Sequence, residues 1–342
     1  MRVLVTGGTG LVGRHVIAAL ARRGERIRAL ARSDAAAAAL AALGAEVARG
    51  DLSDEAALDR AAAGCDAVVH TAATVLSRRP WADWRAVNVL GSERVATSTA
   101  RAGARLVHLS SVAVYGGRLA RRSATPLDEA FDLERAATPR DPYARSKREA
   151  ELAVWRVAQA TGLVATALRP CVIYGEGDRH FSPRVARVVR RGLVPLIGDG
   201  TNRLSVVYAG NVAAAVLAAL DHPEHPGPFN VTNDADLTLR EFVTHFAAGL
   251  GVRPRFIPIP RRLARSVAKA GDAALALLQP RAALVGMREA VQFLSGDNPF
   301  RSDRAERELG WRPVAAAGEA VERTAASFRG DGRRAAGGSP AP

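Results

Sequence analysis

The first fourteen residues, MRVLVTGGTGLVGR, constrain the fold more than any other stretch of the chain. An apolar run at residues 3–5 precedes a G-x-x-G-x-x-G turn, and an amphipathic helix is predicted over residues 11–23. Glycines let a backbone turn tightly and approach a pyrophosphate, and the N–H groups that open a helix attract its charge. The pattern therefore predicts a dinucleotide site. Its predicted residues are Gly7, Gly10, Leu11, Val12 and Gly13.

Strand and helix signals alternate after this turn. Predicted strands at 26–31, 45–48, 67–70 and 106–110 are separated by predicted helices at 34–43, 53–63 and 84–102. Such alternation indicates an α/β fold with a doubly wound parallel sheet, the Rossmann arrangement, and a smaller C-terminal substrate region. We expect a dinucleotide-binding domain over 1–175 that later strands complete, a mixed α/β substrate-binding region over 176–328 and a disordered tail over 329–342.

The net charge of +14 raises the question of a nucleic-acid partner. The arginines are scattered, and an aromatic content of 5% provides no stacking platform, so we predict no nucleic-acid partner. We also predict no metal site. No run reaches the roughly 18 apolar residues of a membrane span. Cys65 and Cys171 lie in or beside apolar runs and are interpreted as reduced core residues. Together with the lack of a secretory signal, this predicts a cytoplasmic protein.

The end of the second predicted strand selects between cofactors. Chains that bind NAD usually place an acid there, roughly 20 residues beyond the glycine turn. Here Ala31 ends the strand, and Arg32 and Ser33 offer a guanidinium and a hydroxyl to a 2′-phosphate. Asp34 follows late and leaves NAD as an alternative. The prediction therefore favours NADP.

Two later segments carry the chemistry. Ser111 follows a buried strand, and Asp141-Pro142 is typical of a helix start, which places Tyr143 and Lys147 on one helix face. A tyrosine titrates near pH 10, and a neighbouring ammonium is expected to lower its pKa. Tyr143 is predicted to exchange a proton with a carbonyl or alcohol oxygen that Ser111 holds, while a nicotinamide carries hydride. Lys147 is also predicted to reach the nicotinamide ribose.

These motifs, in this order, resemble the extended short-chain dehydrogenase/reductases, the NAD-dependent epimerase/dehydratase family, from the first residue to about Arg323. The resemblance implies that Ser111, rather than Ser110, is the catalytic serine and that Asn88 is the fourth member of a catalytic tetrad. It also implies a homodimer. Further cofactor contacts that it implies are Asp51, Leu52, Ala72, Ala73, Pro170 and Ile173.

The substrate region resembles one branch of this family more than another. Sugar-nucleotide members carry an arginine at the position of Leu204, and the adjacent Arg203 is expected to face the other side of its strand. Residues 194–202 instead resemble the 3β-hydroxysteroid dehydrogenases and related ketone reductases. This resemblance implies a hydrophobic hydroxy or keto substrate that is steroid-like, β-keto acid-like or flavonoid-like. Substrate contacts are expected from Ser111, Tyr115, Tyr174 and Arg203.

Two other functions remain open at this point. One is a sugar-nucleotide epimerase or dehydratase with tightly bound NAD, and the other is a non-catalytic regulator that senses the cofactor. The apolar segment 256–278 also leaves three interpretations open: a lid over a hydrophobic substrate, a peripheral membrane contact through a helix on the membrane surface, or a helix that packs on the core.

Overall fold

The computed structural model describes residues 1–75, 80–116, 127–139, 141–232, 237–278 and 287–329, with the backbone alone for 274–278 and 289. Of the tail predicted at 329–342, residues 330–342 lie outside the described residues. The strands are β1 (Arg2–Thr6), β2 (Arg26–Ala31), β3 (Glu46–Arg49), β4 (Ala67–His70), β5 (Arg105–Leu109), β6 (Ala165–Pro170), β7 (Val172–Tyr174), β8 (Leu193–Ile197), β9 (Val206–Tyr208), β10 (Gly227–Val231) and β11 (Arg255–Ile259).

Helices connect most of these strands. The α-helices are α1 (Leu11–Arg22), α2 (Asp34–Ala41), α3 (Glu55–Ala62), α4 (Trp81–Trp84), α5 (Gly91–Arg101), α6 (Pro142–Thr161), α7 (Ser182–Val189), α8 (Ala209–Asp221), α9 (Leu239–Leu250), α10 (Arg261–Leu278), α11 (Met287–Ser295), α12 (Asp303–Glu308) and α13 (Ala317–Ala326). A π-helical turn spans Arg85–Leu90, and a 3₁₀ turn spans Val112–Tyr115.

The chain divides into two compact units. Unit 1 comprises residues 1–171, 209–233 and 299–314, and unit 2 comprises residues 172–208, 234–298 and 315–342. Two segments of the expected substrate region, 209–233 and 299–314, belong to unit 1, and the first contains β10, one of the later strands expected to complete the dinucleotide-binding domain. They do so because β10 pairs with β6 and α8 packs against α1.

Unit 1 is built on a seven-stranded sheet with the order β10-β6-β5-β4-β1-β2-β3, and each of its pairings is parallel. The direction of strand addition reverses between β1 and β4, and ligands bind at the carboxyl ends of the strands beside such a switch point. Val3, Leu4 and Val5 of β1 are buried, as expected for a strand covered on both faces. The predicted doubly wound α/β fold is confirmed.

Capping side chains begin four of the α-helices described, α2, α3, α6 and α9. Asp141 accepts a hydrogen bond from the N–H of Ala144 at 2.8 Å and caps α6, as predicted. The helix predicted from residue 53 begins later, at Glu55: the Ser53 hydroxyl donates to Asp51, and Asp54 caps α3. The predicted helix at 84–102 is also interrupted, because the π-helical turn separates α4 from α5.

Unit 2 contains two parallel strand pairs, β11 with β8 and β7 with β9. A buried cluster that includes Tyr174, Leu204 and Phe242 forms its core, and α9 begins with a capping box at Thr238 and Glu241. On α10, Ala264 and Ala268 are buried, whereas Leu263 and Val267 are 54% and 52% exposed. The role of segment 256–278 therefore stays a prediction. Among the residues described, no helix has the length and apolar character that crossing a membrane requires.

Candidate active site

The glycine turn after β1 forms a cradle that side chains would fill. Gly7 has φ +72°, and a Cβ added there would lie 2.5 Å from the backbone nitrogen of Ala72. A Cβ on Gly13 would lie 2.3 Å from the carbonyl oxygen of Gly7. The N–H of Gly10 closes the turn by donating to that same oxygen at 2.9 Å. Glycine is thus required by close backbone approach at both Gly7 and Gly13.

The start of α1 fits a dinucleotide pyrophosphate. Its N-cap, Gly10, provides no side-chain cap, and its first turn contains no acidic residue. The neighbouring α2 and α3 are instead capped by Ser33 and Asp54. Backbone N–H groups of the first turn, including those of Leu11 and Val12, therefore need an external acceptor, and a phosphate fits that need.

The end of β2 presents the residues predicted to select the cofactor. Arg32 is exposed at this strand end. The carboxylate of Asp34 is 2.6 Å from the guanidinium of Arg49 in an ion pair. Hydrogen bonds from Ser53 lower the pKa of Asp51, and the nearby charge of Arg32 acts in the same direction. Arg32 therefore lies close to Asp51, a second predicted cofactor contact.

Asn88 lies in the π-helical turn and connects two parts of the site. Its side-chain oxygen accepts from the N–H of Thr74 at 2.7 Å, and its nitrogen donates to the carbonyl of Thr74 at 3.1 Å. The same nitrogen donates to the hydroxyl of Ser146 at 2.8 Å. Ser146 lies on α6 between Tyr143 and Lys147. Asn88 therefore ties the segment that follows Ala72 and Ala73, two predicted cofactor contacts, to the helix that carries the predicted acid/base pair.

Tyr143 lies in the first turn of α6 and is partly buried. Its ring meets that of Trp84 edge-on, with 6.2 Å between centroids. Burial raises the pKa of the Tyr143 phenol; the hydrogen bond between the Ser111 and Tyr143 side chains lowers it, and the charge of Asp141 raises it. The lowered pKa expected from Lys147 is thus wrong for this structure, because desolvation outweighs the other contributions.

Lys147 lies one helical turn beyond Tyr143 and is 5% exposed. Its ammonium donates to the carbonyl oxygen of Leu109 at 2.7 Å. Burial lowers the pKa of Lys147 to about 8, and the carboxylate of Glu151, one further turn along α6, acts in the opposite direction. The ammonium is therefore held at the carboxyl end of β5, the strand that Ser110 and Ser111 follow.

The two serines after β5 have different partners. Ser110 donates to the carboxylate of Glu151 at 2.5 Å, and Glu151 forms a fully buried ion pair with Arg169. Ser111 lies 3.5 Å from the carbonyl oxygen of Pro170, the last residue of β6, and accepts from the N–H of Ala113 at 3.2 Å. Ser111 also pairs with Tyr143, so the structure brings the predicted serine, not its neighbour, to the phenol.

The predicted substrate contact of Tyr115 needs correction. Its side chain has no exposed surface, and its ring packs against those of Phe131 and Phe300. Its hydroxyl donates to Asn230 at 2.8 Å and accepts from Arg169 at 2.8 Å. Both polar capacities of the phenol are used inside unit 1, so Tyr115 is a core residue.

Three further predicted residues belong to unit 2. The ring of Tyr174 packs against those of Tyr208 and Phe242 within the core of that unit. Ile173 lies beside it on β7. Arg203 is exposed while its neighbour Leu204 is buried, as predicted, although both residues precede β9 and lie outside the strand that was expected to contain Leu204. Contacts of Ile173, Tyr174 and Arg203 with a cofactor or substrate stay predictions.

Sequence reasoning missed several residues that support the site. Ser146 holds Asn88, and Glu151 holds Ser110. Arg148 anchors the 3₁₀ turn, because its guanidinium donates to the carbonyl of Val114 at 2.7 Å and to those of Ala136 and Ala137. The position of Glu151 four residues after Lys147 was a signal that could have indicated its place on the same face. Within the described ranges, no group of three or more His, Cys, Asp or Glu side chains is placed to hold a metal ion.

The chain matches the model of the NAD dependent epimerase/dehydratase family over residues 3–232. It is 32% identical over 312 residues to a 4-hydroxy-2-methyl-3-oxo-4-farnesyl-3,4-dihydroquinoline-1-oxide ketoreductase of Stigmatella aurantiaca, covering 91% of this chain and 92% of that protein. It is 30% identical over 340 residues to a 2-alkyl-3-oxoalkanoate reductase of Stenotrophomonas maltophilia (strain K279a), covering 96% and 99%.

A solved structure is also similar to this chain over nearly its whole length. The crystal structure of gox2253 matches with a TM-score of 0.78 and 27% identity, covering 97% of this chain and 98% of that one. The chain therefore belongs to the NAD-dependent epimerase/dehydratase family of extended short-chain dehydrogenase/reductases, and it is an enzyme that acts on CH–OH or keto groups.

Proposed function

We propose that the protein is an NADP-dependent reductase of hydrophobic ketones, or the corresponding alcohol dehydrogenase, with Tyr143 as the general acid/base. The observation that carries this proposal is the junction of Ser111, Tyr143 and Lys147 at the carboxyl end of β5. When bound, the nicotinamide cofactor supplies or accepts the hydride. What remains for the protein is to hold the substrate oxygen and to move one proton.

The residues of unit 1 divide that task. The hydroxyl of Ser111 is near enough to the phenol of Tyr143 to lower its pKa, so the two hydroxyls are placed to face one substrate oxygen. Tyr143 gives the proton to that oxygen in reduction and takes it back in oxidation. The phenol is protonated at neutral pH and therefore has the proton that reduction requires, although the burial that raises its pKa makes it a weaker acid.

The proposed choice of NADP depends on Arg32. Its exposed guanidinium at the end of β2 is able to pair with a 2′-phosphate in a bidentate manner. Asp34, the residue that left NAD as an alternative cofactor, forms an ion pair with Arg49. The Asp34 side chain is 97% exposed and this ion pair is weak, so the choice of NADP depends on Arg32.

The substrate class is supported by the relatives and by unit 2. The two reductases above are named for substrates that are both ketones carrying an alkyl or farnesyl chain. The position where sugar-nucleotide members carry an arginine is Leu204, which is buried in the core of unit 2. A charged clamp for a diphosphate therefore lacks its expected residue.

The test is reduction of a ketone panel by the purified protein. NADPH oxidation at 340 nm is followed with a 2-alkyl-3-oxoalkanoate, a 3-ketosteroid and a flavonoid-like ketone, and each assay is repeated with NADH. We expect turnover of at least one hydrophobic ketone with NADPH preferred. Conversion of a nucleotide sugar without net cofactor oxidation, and no turnover of any ketone, would instead identify an epimerase or dehydratase.

A further inference from the structure

A line of buried hydrogen bonds runs from β1 to the π-helical turn. The hydroxyl of Thr6 lies 2.6 Å from Nδ1 of His70, and Nε2 of His70 lies 3.0 Å from the hydroxyl of Ser92. Ser92 then donates to the carbonyl oxygen of Asn88 at 2.7 Å. The four residues are 0–2% exposed. The line therefore crosses the interior of unit 1, from the residue before Gly7 to the residue that ties Thr74 to Ser146.

The direction of each bond follows from the number of protons. A carbonyl oxygen only accepts, so the single hydroxyl proton of Ser92 points to Asn88. Ser92 must then accept from His70, which places the ring proton on Nε2. A neutral imidazole has one N–H, so Nδ1 accepts from Thr6. Burial lowers the pKa of His70 to about 3, which keeps the ring neutral at physiological pH.

The last bond reaches the backbone of the π-helical turn, because the carbonyl that accepts from Ser92 belongs to Asn88. A π turn disrupts the regular pattern of backbone bonds, and such turns are frequent at functional sites. The hydroxyl of Ser92 satisfies the carbonyl of Asn88 from within α5. The side chain of the same residue, Asn88, binds Thr74 and Ser146. Holding the backbone of Asn88 therefore fixes the point from which this side chain extends.

We propose that His70 and Ser92 are positioning residues that hold the π-helical turn and thereby fix Asn88 between the cofactor loop and α6. In this role, neither His70 nor Ser92 contacts the reacting atoms. The consequence for turnover depends on the ketone reduction proposed above, whereas the consequence for the π turn does not.

The test compares two serines of the same helix. Ser92→Ala removes the bond to Asn88. Ser98→Ala is the matched control, because Ser98 is equally buried on α5 and its hydroxyl has no hydrogen-bond partner among the residues described. We expect hydrogen–deuterium exchange of peptides over 85–90 to rise in Ser92→Ala and not in Ser98→Ala. Equal exchange in the two variants would overturn the inference.

Two further variants test whether the hydroxyls of Thr6 and Ser92 stabilise the π-helical turn. Thr6→Val removes the first hydroxyl of the line at nearly constant shape. It is expected to raise hydrogen–deuterium exchange over residues 85–90, although these residues are far from Thr6 in the chain. A rise in exchange confined to the neighbours of Thr6 would contradict the proposal. Ser92→Thr keeps the hydroxyl, and Thr97 and Thr99 already make the equivalent bond within α5 at 2.9 and 2.6 Å. Ser92→Thr is therefore expected to retain the low exchange.

Turnover provides the second readout. Ser92→Ala is expected to lower kcat about tenfold with a smaller change in the KM of the cofactor, a size that fits the loss of one buried hydrogen bond. Combined with Asn88→Ala, it should add almost nothing, because both changes act through the same side chain. Full additivity would overturn the positioning role. If the wild-type protein reduces no ketone, the proposed function is wrong. The exchange comparison of Ser92→Ala with Ser98→Ala still tests whether the hydrogen-bonded line holds the π turn.

Discussion

Ser110 and Ser111 are consecutive in the chain, yet their hydroxyls serve different partners. Ser110 donates to the buried carboxylate of Glu151 at 2.5 Å, whereas Ser111 pairs with the phenol of Tyr143. Both serines are buried, at 2% and 8% exposure. The division assigns stability to the first serine and chemistry to the second, and it can be tested one serine at a time.

Ser111→Ala should lower kcat about a hundredfold, because it removes a donor aimed at the substrate oxygen. Ser110→Ala should leave kcat nearly unchanged and lower the free energy of unfolding by about 1.5–3 kcal/mol, the range for a hydrogen bond to a charged group. Ketone reduction and urea titration of both variants check this. If Ser110→Ala lost as much turnover as Ser111→Ala, the assignment of the two serines would be wrong.

Tyr143→Phe should lower kcat by about 10²–10⁴-fold, the usual contribution of a general acid/base. The phenyl ring keeps its edge contact with Trp84, so the fold and the affinity for NADPH should change little. Single-turnover assays together with NADPH fluorescence titration separate the two quantities. Substantial activity in this variant would remove Tyr143 from its proposed role.

Lys147 should lose its proton with a midpoint near pH 8. The chain has two lysines, Lys147 and Lys269, so ¹³C-labelled lysine gives two signals that a Lys269→Arg variant assigns. A Lys147 midpoint near the ordinary value of 10.5 would show that burial does not act as the structure indicates.

The same pKa shift predicts how stability depends on pH. The pKa of Lys147 is lower in the folded chain than in the unfolded chain, so between about pH 8 and 10.5 the unfolded chain binds more protons. In this range the contribution of Lys147 to the free energy of unfolding therefore rises with pH. Urea titrations should show the wild type gaining on Lys147→Met as pH increases. A gain on lowering the pH would contradict the sign.

Arg32→Ala should weaken NADPH binding by about tenfold or more and change NADH binding little, because the guanidinium faces a 2′-phosphate in the proposed complex. Arg307→Ala is the control, since it removes an equally exposed positive charge from α12. Isothermal titration of both cofactors measures the effect. Equal loss for NADPH and NADH, or a similar loss in the control, would remove the reason for choosing NADP.

Arg169→Met should destabilise unit 1 by about 3–5 kcal/mol, because it leaves the carboxylate of Glu151 buried without its partner. The double variant Glu151→Leu/Arg169→Met removes both charges and should recover much of this loss. Thermal unfolding of the three proteins measures the difference. A double variant that is less stable than the single one would mean that the pair is needed for more than charge balance.

Much of the fold was predictable from short stretches of sequence. The turn at Gly7 and Gly13, the cap at Asp141 and the alternation of Arg203 with Leu204 depend on backbone geometry within a few residues. The repeated strand–helix order likewise predicted the parallel sheet. The sequence also placed Tyr143 and Lys147 on one face of a helix, since their spacing matches one turn.

The tertiary structure alone decided the environment of those residues. The reason is that burial and long-range partners set it: Tyr115 and Asn230 meet across 115 positions, and Ser110 and Glu151 meet across 41. His70 on β4 is connected to Asn88 of the π turn through the hydroxyl of Ser92 on α5. Desolvation, which no local pattern reveals, reversed the expected pKa shift of Tyr143. Sequence thus determined which chemical groups the site has, and packing determined which of them are available to react.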